Sequence, residues 1–134
     1  HGTVMVDIDN DLDLDLYIGN GGMNQIPDKE EPNRLFISQK TASASSISVT
    51  LNGTRSNRDG VGAMIWVHPA DDEANVVTRW VSRSSGFNSS VPKVQTVGLG
   101  DRTEPFTVEV RWPSGAVQTV ENVASGDRLS LTEP

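Results

Sequence analysis

Five carboxylates fall within nine residues near the start of the chain, at Asp7, Asp9, Asp11, Asp13 and Asp15. No basic residue interrupts the run, so its folded form must either neutralise the charge or leave it in water. Calcium does the first, because it is a hard cation that gathers roughly six to eight oxygens from carboxylates and carbonyls. In an Asp-x-Asp-x-Asp loop, Asp7, Asp9 and Asp11 take the first, third and fifth places. Asp13 supplies its carbonyl at the seventh and Asp15 stands at the ninth. The twelfth place is Ile18 rather than the Glu of an EF-hand. The sixth is Leu12 rather than the usual Gly, which puts a bulky residue at a strained positive φ.

The same segment also reads as an extended strand. Val6, Ile8, Leu12, Leu14 and Leu16 alternate with the acids, and period-two patterning of this kind leaves one apolar face. Its carboxylates would then stand about 7 Å apart at ~3.3 Å per residue. Strand interiors are poor in Asp, so the calcium loop is the favoured reading and the solvated acidic strand stays open.

Nothing resembling an amphipathic helix follows. Ile47, Val49 and Leu51 alternate with Ser48 and Thr50, and Phe106, Val108, Val110 and Trp112 alternate with polar residues. Leu129 and Leu131 repeat the pattern near the C-terminus. Ala63 to Val67 and Val76 to Val81 are apolar on both faces, which suits central or sandwich-core strands. Loops separate these runs: residues 19–32 are rich in Gly, Pro, Asn and charge, 71–73 form an acidic hairpin tip, 82–92 a long polar loop, and 39–46 a Ser/Ala spacer. Short strands with such punctuation predict an all-β fold with a sandwich of roughly seven or eight strands.

Charge and composition narrow the partners. A net charge of -7 opposes nucleic acid and anionic membranes and favours cations. No apolar run reaches membrane-spanning length, so membrane insertion is not expected. The absence of cysteine excludes disulfides and thiolate chemistry. His1 and His68 are the only histidines and have no carboxylate at zinc-site spacing, and no Gly-x-Ser-x-Gly elbow is present. The chain is therefore not expected to be an enzyme. Asn57, Arg58 and Asp59 form a polar cluster ahead of a strand, readable either as a ligand groove or as a turn whose glycines permit positive φ. Trp66, Trp80 and Trp112 offer flat apolar faces for sugar rings, but core packing is expected for at least two of them. Trp80, beside Arg79, is the best placed for exposure. Asn52 and Asn88 open glycosylation sequons.

Asp7-Ile8-Asp9-Asn10-Asp11 with Asp13-Leu14-Asp15-Leu16-Tyr17 resembles the calcium loop of an FG-GAP/VCBS propeller repeat, and Asn33-Arg34-Leu35-Phe36-Ile37 resembles the strand that follows it. Leu51-Asn52-Gly53, Ser56 to Ala63, Ser85 to Ser89, Val97 to Gly100 and Val110 to Gly115 together resemble the ASPIC/UnbV domain. Leu12 departs from the loop Gly, and Ser90 stands where that family often has Gln. The resemblance implies a partial calcium-loop repeat over residues 1–40 and a β-sandwich over residues 46–134, in an extracellular setting. The expected architecture is a β-sandwich with an N-terminal calcium-loop hairpin from a propeller-type repeat. The expected function is a secreted, Ca2+-stabilised binding or adhesion module for an extracellular protein or glycan. One alternative is a subunit of an extracellular assembly, self-associating by strand addition at Val4 to Val6 and Leu35 to Ile37. Another is carbohydrate binding through Trp80 and residues 85–90.

Overall fold

The computed structural model describes residues 2–20, 31–39, 44–84, 86, 89–103 and 105–134. Its strands are β1 (Gly2–Val6), β2 (Asp15–Gly19), β3 (Arg34–Phe36), β4 (Ser45–Asn52) and β5 (Met64–Pro69), followed by β6 (Val77–Trp80), β7 (Gln95–Gly100), β8 (Phe106–Arg111), β9 (Val117–Val123) and β10 (Arg128–Thr132). Among the described residues there is no helix, as expected from a chain whose apolar residues recur at period two.

Three sheets result. The hairpin of β1 and β2 continues into β3, giving an antiparallel sheet in the order β1-β2-β3. A second sheet runs β10-β4-β7, and a third runs β6-β5-β8-β9 with every pair antiparallel. The last two sheets make the sandwich, held by one core. Ile47, Val49 and Leu51 from β4 and Val97 and Leu99 from β7 join Ile65 and Val67 from β5 in that core. Phe106, Val108 and Val110 from β8 complete it, and Trp112 closes one end. Each strand reaches the core with alternate residues, which is what period-two sequence provides.

Two features depart from simple alternation. β10 pairs with β4 in parallel, Leu129 opposite Val49 and Leu131 opposite Leu51, although β4 and β10 lie at opposite ends of the sandwich sequence. In β9 the register slips opposite Phe106 and Val108, so that Val120 and Val123, three residues apart, pair with them. Asn122 sits in this bulge with φ 58°, and the extra residue returns Val123 to the core, where it is buried.

The segment from Val76 to Val81 does not become a central strand. β6 is the edge of its sheet, with Val77 half-buried and Thr78 and Trp80 exposed. Its apolar look misleads because Val77 and Val81 turn toward the core while Trp80 turns outward. Two of the three tryptophans likewise escape the core: Trp112 alone is fully buried, while Trp66 is half-buried on the outer side of β5.

The outer face of the β10-β4-β7 sheet carries small polar residues, and they are nevertheless buried. Ser46, Ser48 and Thr96 all lie beneath other groups. Residues of the acidic segment supply the cover: Leu12 and Asp13 line a cavity of about 430 Å3 together with Ser46, Thr96 and Gly98. Arg128, in the same outer row as Ser48, donates to the Asn10 carbonyl at 2.7 Å and approaches Asp7 Oδ2 at 3.9 Å.

Burial on the two sides of the third sheet predicts unequal mutational effects. Phe106→Ala, at a fully buried position, is expected to cost about 3–5 kcal/mol in urea denaturation. Val117→Ala, on the exposed outer side, is expected to change stability by less than about 0.5 kcal/mol.

Candidate metal centre

The acidic segment between β1 and β2 is a loop, not a continuous strand. Asp7 terminates the hairpin's first strand and folds its carboxylate over the loop, accepting from the Asp11 N–H at 3.0 Å and the Leu12 N–H at 3.1 Å. Asp11 in turn accepts from the Asp13 N–H at 2.9 Å. Asp15, buried at the start of β2, accepts from the Ile8 N–H at 2.8 Å through one oxygen and from the Ser38 N–H at 2.9 Å through the other. The loop's own amides thus orient the carboxylates, and Asp15 ties the loop to the chain beyond β3.

Asp7, Asp9 and Asp15 each place a carboxylate oxygen within 4.8 Å of the other two. Oxygens bound to one calcium ion at about 2.4 Å lie at most about 4.8 Å apart, so this spacing is compatible with a shared hard cation. Asp11 and Asp13 stand outside that group. Both Asp13 carboxylate oxygens are buried without a hydrogen-bond partner. The pKa of Asp9 is raised by burial and then by the neighbouring charges of Asp11, Asp15 and Asp7, despite an opposing hydrogen bond from the Asp11 backbone. The loop therefore concentrates negative potential where its three carboxylates converge.

Leu12 adopts the conformation normally left to glycine, with φ 70°, and Asn10 does likewise at φ 63°. Asn tolerates this region, whereas a leucine there costs about 1–2 kcal/mol. Leu12 is also 94% removed from solvent, its exposure being 6%, and burial of such a side chain returns about 1.5–3 kcal/mol. The departure from Gly is thus compensated by packing against the sandwich, and the turn forms with Leu in place.

The polar cluster ahead of β5 is knitted into its own turn. Asn57 bonds Val61 in both directions, Nδ2 donating to the Val61 carbonyl and Oδ1 accepting from its N–H, each at 2.8 Å. Asp59 faces Lys93 at 3.3 Å and Arg83 at 3.8 Å, with Arg58 Nε at 4.0 Å and the rest of Arg58 in solvent. Gly60 has φ 64°, and a Cβ there would stand 2.8 Å from that of Leu51. Trp80 is 63% exposed, and the Gly62 N–H at the end of this turn donates to the carbonyl of the next residue, Val81, at 2.8 Å. His68 Nδ1 lies 2.8 Å from the Pro69 carbonyl. The Asn52 side chain is engaged by Ser130 and Lys93, while Asn88, with Ser85 and Phe87, lies outside the described residues.

Glu133, which sequence reasoning passed over, is the most heavily bonded side chain described. Only 3% exposed, it accepts at Oε2 from the Thr54, Arg55 and Ser56 N–H groups at 2.9, 2.8 and 2.7 Å. Oε1 accepts from the Ser56 and Ser114 hydroxyls at 2.7 and 2.6 Å. Burial raises its pKa, but the bonds from Ser114, Ser56 and Arg55 outweigh burial and hold it far below the usual carboxylate range. A carboxylate so fully satisfied is a structural anion. Its sequence neighbours, Thr132 and Pro134, carry no signal of this, because every donor comes from far along the chain.

The segments joined at Glu133 are also those that a family comparison selects. The family model described as ASPIC and UnbV matches residues 53–134, more than half of the chain. The chain belongs to the ASPIC and UnbV family. No curated protein matches the chain. Within the matched part of this ASPIC and UnbV chain, the Glu133 carboxylate accepts from the hydroxyls of both Ser56 and Ser114. The match begins just after β4 and leaves the acidic loop outside it.

Two outcomes follow from this geometry. Because Leu12 has positive φ, Leu12→Gly is expected to retain more local stability than Leu12→Ala by about 1 kcal/mol, reversing the usual order. Amide exchange at Ile8 and Ser38, both bonded to Asp15, measures it. For Glu133 the folded pKa lies below the unfolded one, so its contribution is complete above about pH 4.3 and declines as the pH falls further. Glu133→Gln is expected to be less stable than the parent at pH 7. Their difference in urea midpoint should shrink on acidification below about pH 4.

Proposed function

We propose that the chain is a secreted, calcium-stabilised binding or adhesion module, with the ion held by the loop between β1 and β2. The convergence of Asp7, Asp9 and Asp15 oxygens within 4.8 Å carries this reading. The donor set is all hard oxygen, which favours calcium over the transition metals. Asp11 and the Asp13 carbonyl are the remaining candidates for completing the coordination. The role assigned to the ion is structural. It would offset the repulsion that raises Asp9 and stiffen the loop that Arg128 and Leu12 fasten to the sandwich. Extracellular modules of this type bind calcium at roughly 10⁻⁴–10⁻³ M, which fits a secreted setting. Residues 1–40 are read as part of an FG-GAP/VCBS-like repeat placed ahead of the ASPIC and UnbV sandwich. The reading is of a binding protein rather than an enzyme, with the Glu133 carboxylate committed to holding the fold.

A second reading is supported by the edges of the N-terminal sheet. β1 and β3 are its outer strands, and Leu35, Phe36 and Ile37 are each about half exposed, at 49%, 50% and 47%. Strand addition at these edges would join copies into an extracellular assembly. Sedimentation that finds a monomer at high concentration, with and without calcium, removes it.

Calorimetric titration of chelator-stripped protein with calcium is the test of the first reading. Saturable binding should raise stability by about 2.7 kcal/mol at a hundredfold excess over Kd, roughly 10 °C in Tm for a domain of this size. Asp9→Ala should abolish both effects. Absence of heat and of any Tm shift in the parent would refute the calcium site.

A further inference from the structure

The solvent-facing side of the β6-β5-β8-β9 sheet carries two aromatic side chains in adjacent rows. One row runs Trp80, Met64, Arg111, Val117 across the four strands, and the next runs Thr78, Trp66, Glu109, Thr119. Trp66 and Trp80 are therefore diagonal neighbours on adjacent strands, about 7–8 Å apart at the backbone. Trp80 is 63% exposed, and Thr78, Arg111, Val117 and Thr119 are exposed beside it. The indole of Trp80 borders two depressions. One, of about 330 Å3, is shared with Met64, Arg111 and Pro113. The other, of about 480 Å3, opens toward Val4, Met5 and Leu16 of the hairpin. Trp80 thus borders both depressions, while Trp66 lies on the open sheet and lines neither.

We infer that this face binds a neutral glycan, an extended chain of pyranose rings whose apolar ring faces lie on Trp80 and Trp66. The inference rests on the binding-module reading above and names its ligand class. Three observations favour sugar. Flat indoles match the apolar face of a pyranose, and two of them in successive rows match a chain rather than a single ring. On β8, the strand beyond Trp66, stand Glu109, an acceptor directly opposite Trp66, and Arg111, a donor opposite Met64, which suit hydroxyls that both donate and accept. Among the described residues neither of these charged groups, nor either indole N–H, has a hydrogen-bond or ion-pair partner within the protein. The same polar groups break the apolar surface, whereas the buried centre of a protein interface is depleted of charge. The net charge of -7 disfavours nucleic acid and acidic polysaccharides.

This inference keeps Trp80 from the carbohydrate site expected from sequence and adds Trp66 from β5; Ser85, Phe87 and Asn88 of the expected segment lie outside the described residues.

Tryptophan fluorescence and calorimetric titration with cellohexaose, xylohexaose and mannohexaose test the inference, with and without chelator. At least one of the three should bind and perturb the fluorescence. Trp80→Ala should weaken that binding tenfold or more, and Trp66→Ala several-fold. Trp80→Ala removes an exposed side chain and should leave Tm close to the parent, so it serves even where Trp66→Ala folds poorly. Asp9→Ala should retain sugar binding, which separates this inference from the calcium site. Binding of none of the three up to millimolar concentration overturns it, as does binding that survives both tryptophan substitutions. A dimer that Trp80→Ala converts to monomer, with no sugar bound, assigns the face to a protein contact and also overturns it. Calcium binding without sugar binding would overturn this inference alone.

Discussion

The carboxylate of Glu133 joins parts of the chain that are nearly eighty residues apart. Its two oxygens take the amides of Thr54 to Ser56 on one side and the hydroxyls of Ser56 and Ser114 on the other. The turn after β4, the turn after β8 and the end of β10 are thereby held at one point. The Glu133 N–H also donates to the Asn52 carbonyl at 2.9 Å, so the parallel pairing of β10 with β4 runs directly into the latch. A parallel edge strand has no hairpin to set its register. Here the register is set by this anion at one end and by Leu129 and Leu131 facing the core along its length.

The latch explains why a sandwich with so few aromatic residues closes at its end. Trp112 fills the core there, its indole N–H donating to Gln118 at 3.2 Å, and Ser114 begins the turn that Glu133 captures. At the opposite face the acidic loop plays a comparable part, covering Ser46, Ser48 and Thr96 with Leu12 and anchoring through Arg128. Small side chains on that face let the loop approach closely. The hairpin and the sandwich thus meet through a strained leucine and one arginine at the loop, and through the Thr3 N–H, which donates to Ser89 Oγ at 3.0 Å, along β1; cation binding in the loop would act on the first of these contacts.

Much of this was legible in the residues. Alternation at Ile47 to Leu51, at Phe106 to Val110 and at Leu129 to Leu131 marks β4, β8 and β10, because a strand buries alternate side chains and those are the apolar ones. The Asp spacing favoured a loop over a continuous strand, and the segment between β1 and β2 is a loop in which Asp7, Asp9 and Asp15 converge while Asp11 and Asp13 stand outside that group. The exposure of Trp80 also follows the expectation drawn from its neighbour Arg79 and its irregular strand. Where the pattern misled, the cause was local. Val76 to Val81 looks apolar throughout, but an edge strand has one neighbour and leaves Trp80 without a layer above it. Strand β9 was obscured by the bulge at Asn122, which breaks the alternation between Val120 and Val123.

By itself the sequence determined the all-β character, the strands of strict alternation, the acid-rich loop and the lack of any thiol chemistry. Each of these depends on neighbours a few residues apart, where spacing alone dictates which side chains share a face or a turn. Tertiary structure decided the parallel placement of β10, the burial of Glu133, the cover that the loop provides for β4, and the meeting of Trp66 and Trp80 on one open face. Those features arise from groups distant in the chain, and no local period encodes which strands become neighbours. The core selects the pairing that buries all its apolar faces at once, and the polar contacts at Glu133 and Arg128 form only once that pairing exists.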